Sequence, residues 1–260
     1  MSRRDEMLRE MGLAPVWRLR GAPAREEAPA SEDAAPAVAI VARHEPAQLP
    51  ESERAQTILR MDWTALKERV AGCVDCRLHE RRNRTVFGVG DEQAEWLFVG
   101  EGPGADEDQQ GEPFVGQAGK LLDNMLAALQ LKRGENVYIA NVVKCRPPGN
   151  RNPAPDEAGQ CEPYLQRQIG LIRPRLIVAL GRIAANNLLG RDASIASLRG
   201  KLHDYMGIPL IVTYHPAYLL RTLPDKAKAW IDLCFALDTM RGLQTRARVP
   251  ISAGNIGGPT

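Results

Sequence analysis

The chain has 260 residues, 44% apolar and 25% charged, with a formal net charge of +2. No apolar run reaches the ~20 residues of a membrane-spanning helix, and the start "MSRRDEMLREMGLAPVW" has no apolar signal-peptide core, so a soluble, cytoplasmic protein is expected; a monomer is expected as well. Residues 1–56 carry 8 Lys/Arg against 10 Asp/Glu and the remainder 26 against 22, a mild basicity that permits a polyanionic partner without demanding one.

In chain order, residues 1–20 suit a short amphipathic helix around Met7, Leu8, Met11 and Leu13, either a fraying terminus or a docking peptide for a protein partner. Residues 21–56 are rich in Ala, Pro and Glu, have little to bury and read as a disordered linker. A folded domain is expected over 57–246, opening with a helix in "WTALKERVAGC". Strands are expected at Trp96–Gly100, Val137–Val143, Arg175–Leu180 and Pro209–Tyr214. Helices are expected at Gly119–Leu129, Asp156–Ile172, Arg182–Leu189 and Asp225–Leu243, and 247–260 reads as a disordered tail. Strands alternating with helices imply an α/β fold with a four-stranded parallel sheet covered on both faces. Ligands in such sheets sit beyond the carboxyl ends of the strands. The unusual stretches "GEGPG", "NVVKCRPPGNRNP", "LGRIAANN" and "YHPAYLLR" all fall there.

The glycine turn after Trp96–Gly100 does not suit a phosphate. Its spacing is G-x-G-x-G, Pro103 lacks a backbone donor, and Asp106, Glu107 and Asp108 follow; three carboxylates repel an anion. A turn of this kind brings bare backbone close to something flat and uncharged. The cysteines form a second pattern. Cys73 and Cys76 make a C-x2-C pair, and Cys145 and Cys161 lie far downstream. Four thiolates of this kind suit a tetrahedral zinc or a 4Fe–4S cluster. The spread second pair, unlike the two knuckles of a zinc ribbon, favours the cluster. Cys234, on an apolar helix, reads as a core thiol.

Together, "GEGPGADEDQQGEPFVGQAGKLLDNML", "NVVKCRPPGNRNPAPDEAGQC", "HPAYLLR" and the C-x2-C pair resemble the family 4, iron–sulfur uracil-DNA glycosylases. The resemblance runs from about Trp63 to Leu243. It implies a three-layer α/β/α sandwich, a structural 4Fe–4S cluster and excision of uracil from DNA, the first step of base excision repair. Related family 1 enzymes place an aspartate where Gly102 stands. A covalently trapping branch carries a histidine in a basic loop where "KCRPPGNRNP" has none, so turnover is expected.

The resemblance assigns roles that the chemistry supports. Uracil must leave the base stack before its glycosidic bond is reached. A carboxamide in one orientation donates to O4 and accepts from N3–H, pairing with uracil and not cytosine; Asn141 matches that reader, though by itself it would suit a turn or cap. Phe114 matches the stacking ring. His215 would donate to O2 as uracil leaves as an anion. Glu101 and Gly102 match base-contacting positions on the glycine turn. Glu107 is the candidate to stabilise the oxocarbenium-like sugar, orient water and crowd a thymine methyl; helix-start acidity is its plain alternative. Lys144, Arg146, Arg151, Arg199, Lys201 and Arg221 would hold phosphates. Leu219 or Leu220 would wedge into the vacated stack. Two other readings stay open: a non-catalytic cluster-bearing nucleic-acid module that recruits a repair or replication partner, and a zinc-stabilised hydrolase of another nucleobase compound.

Overall fold

The computed structural model describes residues 53–248. The readings of 1–20, of the linker up to residue 52 and of the tail beyond residue 248 lie outside the described residues. The linker's last residues open a helix, α1, Glu53–Leu59, and α2 follows at Trp63–Ala71. Asp62 starts α2 by accepting the Ala65 N–H at 2.9 Å, the usual N-cap device.

The sheet has six strands: β1 (Val89–Gly90), β2 (Trp96–Gly100), β3 (Val137–Asn141), β4 (Leu176–Leu180), β5 (Leu202–Tyr205) and β6 (Ile208–Thr213). Their order is β1-β3-β2-β4-β6-β5. The four expected strands are its parallel centre, paired β3 to β2, β2 to β4 and β4 to β6. Strands β2, β3 and β4 are buried throughout, as apolar runs between two helical layers must be. Two antiparallel edges are added. β1 is a two-residue pairing on β3. β5 forms a hairpin with β6 through Met206-Gly207, both at positive φ. Such two-residue turns favour Asn-Gly, and a methionine in the first position conceals the signal.

Alternating strand residues feed two cores. Leu97, Val99, Tyr138, Ala140, Ile177, Ala179, Leu210 and Val212 face one helical layer. That layer holds α1, α2, α5 (Pro155–Ile172) and α6 (Arg182–Leu189). Phe98, Ile139, Val178, Leu180 and Ile211 face Leu122 and Leu126 of α4 (Gln117–Ala128) and Ala236 and Met240 of α9 (Lys226–Arg248). Short helices α3 (Ala105–Gln110), α7 (Ile195–Leu198) and α8 (Pro216–Arg221) sit in the connections. β2 lies between β3 and β4, so the chain runs outward from it both ways. The crevice at the carboxyl ends there is the topological switch point where such folds bind ligands.

One buried ion pair locks α9 to the sheet. Arg199 Nε lies 2.6 Å from Asp232 Oδ2, the Thr213 hydroxyl donates to the same oxygen at 2.8 Å, and Arg199 stacks 4.5 Å over Tyr214. Arg199 is thereby corrected from a phosphate contact to a structural cation. Asp232→Ala strands that buried charge, so a loss of about 3–5 kcal/mol in urea unfolding is expected. A loss below about 1 kcal/mol would mark the pair as solvent-screened.

Candidate active site

The pocket is built from the carboxyl ends of β2, β3 and β6. Asn141 ends β3 and is 2% exposed, and its side-chain Oδ1 is buried with no hydrogen-bond partner among the described residues. Phe114 is buried in left-handed backbone, φ +56°. A Cβ on Gly100 would fall 2.4 Å from Asn141 Oδ1 and 2.6 Å from Phe114 Cζ. The glycine that ends β2 therefore lets both side chains reach one space. The Phe114 and His215 rings lie 5.5 Å apart at 30°. The structure thus brings Asn141, Phe114 and His215 together beside Glu101 and Gly102.

Left-handed backbone is costly for a residue with a Cβ, and the Phe114 loop is clamped to hold it. Arg133 donates to the Pro113 and Phe114 carbonyls at 2.9 and 2.8 Å. Glu107 Oε1 accepts from Val115 and Gly116 N–H at 2.9 and 3.2 Å, while Oε2 caps α3 at Gly104 N–H, 3.1 Å. A Cβ on Gly119 would sit 1.8 Å from the Phe114 carbonyl oxygen. Glu107 therefore has the geometry of a helix cap and loop clamp rather than that of a free base. Asp108 is fully buried and accepts from the Asn83 and Arg84 backbone and the Asn83 amide. The acids after the glycine turn are mostly structural.

His215 follows β6 and caps α8, its Nδ1 accepting the Ala217 N–H at 3.1 Å. That bond leaves the ring proton on Nε2, the donor a developing anion needs. Desolvation pushes the His215 pKa down to about 4, and the charge of Arg221 adds to the effect. Gly181, φ +94°, makes room beneath it, since a Cβ there would lie 2.9 Å from His215 Cβ. Burial raises the Glu101 pKa against the opposing charge of Arg182. Arg182 did not stand out in the sequence.

The expected DNA-binding residues divide. Lys201 and Arg221 are exposed, and Arg146 is half-exposed and bonds Asn150 at 2.7 Å. Arg151 is exposed but paired with Glu157 at 2.6 Å. Lys144 is corrected: it is 1% exposed, with its ammonium bonded to the Asn141 carbonyl and Gln168, and no phosphate can reach it. Leu219 is corrected too. It is 1% exposed in an apolar cluster with Tyr214 and Leu233, whereas Leu220 is 42% exposed. On a helix, neighbouring leucines face different sides, and sequence alone did not choose between them.

Cys73, Cys76, Cys145 and Cys161 line one cavity with Val70, Asp75, Arg82, Lys144 and Tyr164. Among the described residues, no three His, Cys, Asp or Glu side chains are already drawn around a single ion. Burial pushes the Cys161 thiol up to about 12 and raises Cys76 and Cys145. Arg82 opposes the rise at Cys145, its Nη1 lying 3.1 Å from the sulfur, and Tyr164 Oη donates to Cys73 Sγ at 3.4 Å. Asp75, inside the C-x2-C loop, is pinned by Tyr164 at 2.7 Å and by Arg54 and Arg69 at 2.9 Å. A four-thiol cavity edged by cations fits a thiolate-ligated, anionic cofactor. Cys234 on α9 does not line it.

The family model of the uracil DNA glycosylase superfamily matches residues 87–235, which hold the pocket, Cys145 and Cys161. The chain belongs to that superfamily. It is 49% identical over 159 residues to a type-4 uracil-DNA glycosylase of Archaeoglobus fulgidus, covering 58% of this chain and 79% of the relative. It is 47% identical over 165 residues to a type-4 uracil-DNA glycosylase of Thermotoga maritima, covering 63% and 85%. A type-5 uracil-DNA glycosylase of Thermus thermophilus is 36% identical over 151 residues, covering 51% and 68%. By this likeness the chain falls with the type-4 group.

The neutral His215 has a pH signature. Its folded pKa lies below the ~6.5 of an unfolded histidine, so its contribution to stability is complete above ~6.5 and is lost as pH falls from there to about 4. Histidine NMR titration should place its midpoint near 4; a midpoint above about 6 would contradict a desolvated neutral ring.

Proposed function

We propose that this chain is a monomeric, monofunctional uracil-DNA glycosylase of the cytoplasm that hydrolyses the N-glycosidic bond of uracil in DNA. The observation that carries the reading is the unpartnered, buried Oδ1 of Asn141 beside the Phe114 and His215 rings. A lone acceptor in a neutral pocket suits the N3–H of uracil, while the amide nitrogen donates to O4. Cytosine presents an acceptor at N3 and a donor at position 4, and both would clash with that amide orientation. The relatives' names, type-4 uracil-DNA glycosylase, support the same substrate.

In this reading the uracil is flipped from the stack, its ring lies on Phe114 and its edge on Asn141. The glycine turn at Glu101-Gly102 passes backbone close to the base. As the bond breaks, electrons pass to the ring and charge grows on O2. The His215 Nε2–H donates to that oxygen, and a neutral donor holds the anion without first surrendering its proton. Glu101, whose pKa is raised by burial, would face the sugar and its attacking water in place of Glu107, whose carboxylate is taken up by the Gly104, Val115 and Gly116 N–H groups. Arg146, Arg151, Lys201 and Arg221 grip phosphates and Leu220 fills the gap left in the stack. Cys73, Cys76, Cys145 and Cys161 would hold a 4Fe–4S cluster, which when bound cross-links the C-x2-C loop, the β3–α5 loop and α5.

The assay is release of free uracil from a uracil-containing oligonucleotide with a cytosine control. Uracil release without strand nicking is expected; tight binding without turnover would favour the non-catalytic module. Asn141→Asp should gain cytosine release, and His215→Leu should lower kcat by about 10²–10³-fold. Undiminished kcat in the second variant would remove His215 from catalysis. The purified protein should be brown, absorbing near ~400 nm; a colourless, zinc-loaded protein would replace the cluster with zinc.

A further inference from the structure

The pocket chemistry leaves one buried charge unused. Lys144 is 1% exposed, three residues beyond Asn141 and next to Cys145. Its Nζ donates to the Asn141 carbonyl at 2.9 Å and to Gln168 Oε1 at 2.7 Å. Gln168 is itself fixed, since its Nε2 donates to the Phe87 carbonyl at 2.9 Å. The Lys144 backbone N–H points at Cys161 Sγ, 3.4 Å away, and its carbonyl accepts from Val86 N–H at 2.7 Å. The same residue lines the four-cysteine cavity.

Both hydrogen-bond partners of this ammonium are neutral. A buried ammonium with neutral partners alone is strongly disfavoured. Beside it are the sulfurs of Cys161, faced by its own backbone N–H at 3.4 Å, and of the adjacent Cys145, in the same cavity lining. As ligands those sulfurs would be thiolates and would supply charge opposite to the ammonium. On its other side the ammonium holds the backbone carbonyl of the residue whose side chain reads the base.

We propose that Lys144 is a positioning residue that couples the four-cysteine site to the base pocket: its backbone N–H faces Cys161 Sγ on one side, and on the other its ammonium holds the Asn141 carbonyl at the end of β3 and so helps to set the direction of the Asn141 amide. This rests on reading the pocket as a uracil site. Among the described residues Asn141 Oδ1 has no hydrogen-bond partner, so its aim depends on the backbone that carries it. Without the ammonium, the Asn141 carbonyl and Gln168 Oε1 lose a shared donor, and the strand end keeps the Val142 N–H to Gly100 and Val143 N–H to Glu101 carbonyl bonds but not the one that holds its last carbonyl. Loss of the cofactor would act on the pocket by the same route.

The test uses the full chain with Lys144→Met, which keeps the length and removes the charge and donors. The readout is the inhibition constant of free uracil against uracil release from an oligonucleotide. That constant does not depend on the fraction of active protein, so a role only in overall stability would leave it unmoved. A rise of about tenfold or more is expected, about the loss of one hydrogen bond, with KM for DNA unchanged. The ~400 nm band should bleach faster in EDTA than in the wild type. An unchanged inhibition constant overturns the link to the pocket, and unchanged bleaching overturns the link to the cysteines. Should Lys144→Met fail to fold, Lys144→Arg keeps the charge but cannot place one nitrogen between the same two acceptors. A raised inhibition constant with wild-type bleaching then supports the coupling, and an unchanged constant overturns it. A wild-type chain that releases no uracil marks failure of the functional reading and removes this inference with it, an outcome distinct from an active wild type matched by its variant.

Discussion

A buried carbonyl oxygen with no hydrogen-bond partner costs about 1–3 kcal/mol, and Asn141 Oδ1 has none among the described residues. A second cost sits beside it, the left-handed backbone of Phe114, typically about 1–3 kcal/mol. Two such costs at one point are what a pre-formed binding site looks like: a ligand supplies what the protein lacks. Much of the surrounding structure follows from keeping these two side chains where they are. Gly100 gives them a common space, Arg133 and Glu107 hold the Phe114 loop, Gly119 clears its carbonyl, and Gly181 seats His215.

The pocket is electrically quiet at its centre. Its imidazole is neutral, its reading group is an amide, and its turn is glycine-rich backbone. Charges are felt from the margin, Arg221 acting on His215 and Arg182 on Glu101. This division suits a neutral base held deep while anionic phosphates stay outside. It also explains why a strand-end glycine turn that resembles a nucleotide motif is followed by acids. Those acids serve the local backbone, as Glu107 and Asp108 do. At the far side of the β3 end, the cysteine cavity and the pocket share one short segment, Asn141 to Cys145, with Lys144 between them.

The four central strands and the long helices were legible because continuous apolar runs and helical periodicity are strong local signals. β2 and α6 fall at the expected residues. The edges were not legible: β1 is two residues long and β5 depends on an atypical Met-Gly turn. The pocket trio was legible through motifs, and the structure brings Asn141, Phe114 and His215 together. Side-chain direction was the weak point. Lys144 sits in a basic-looking loop yet turns inward, and of adjacent Leu219 and Leu220 the buried one looked equally available. Arg133 and Arg82 act through contacts between segments distant in sequence, which no local pattern carries.

The most direct measurement is a crystal structure of the full chain with free uracil bound. The expected result is uracil stacked on Phe114, its N3 roughly 2.8–3.0 Å from Asn141 Oδ1 and its O2 within hydrogen-bond reach of His215 Nε2. Uracil bound elsewhere, or an Asn141 carbonyl left facing empty space with the base in the pocket, would contradict the account.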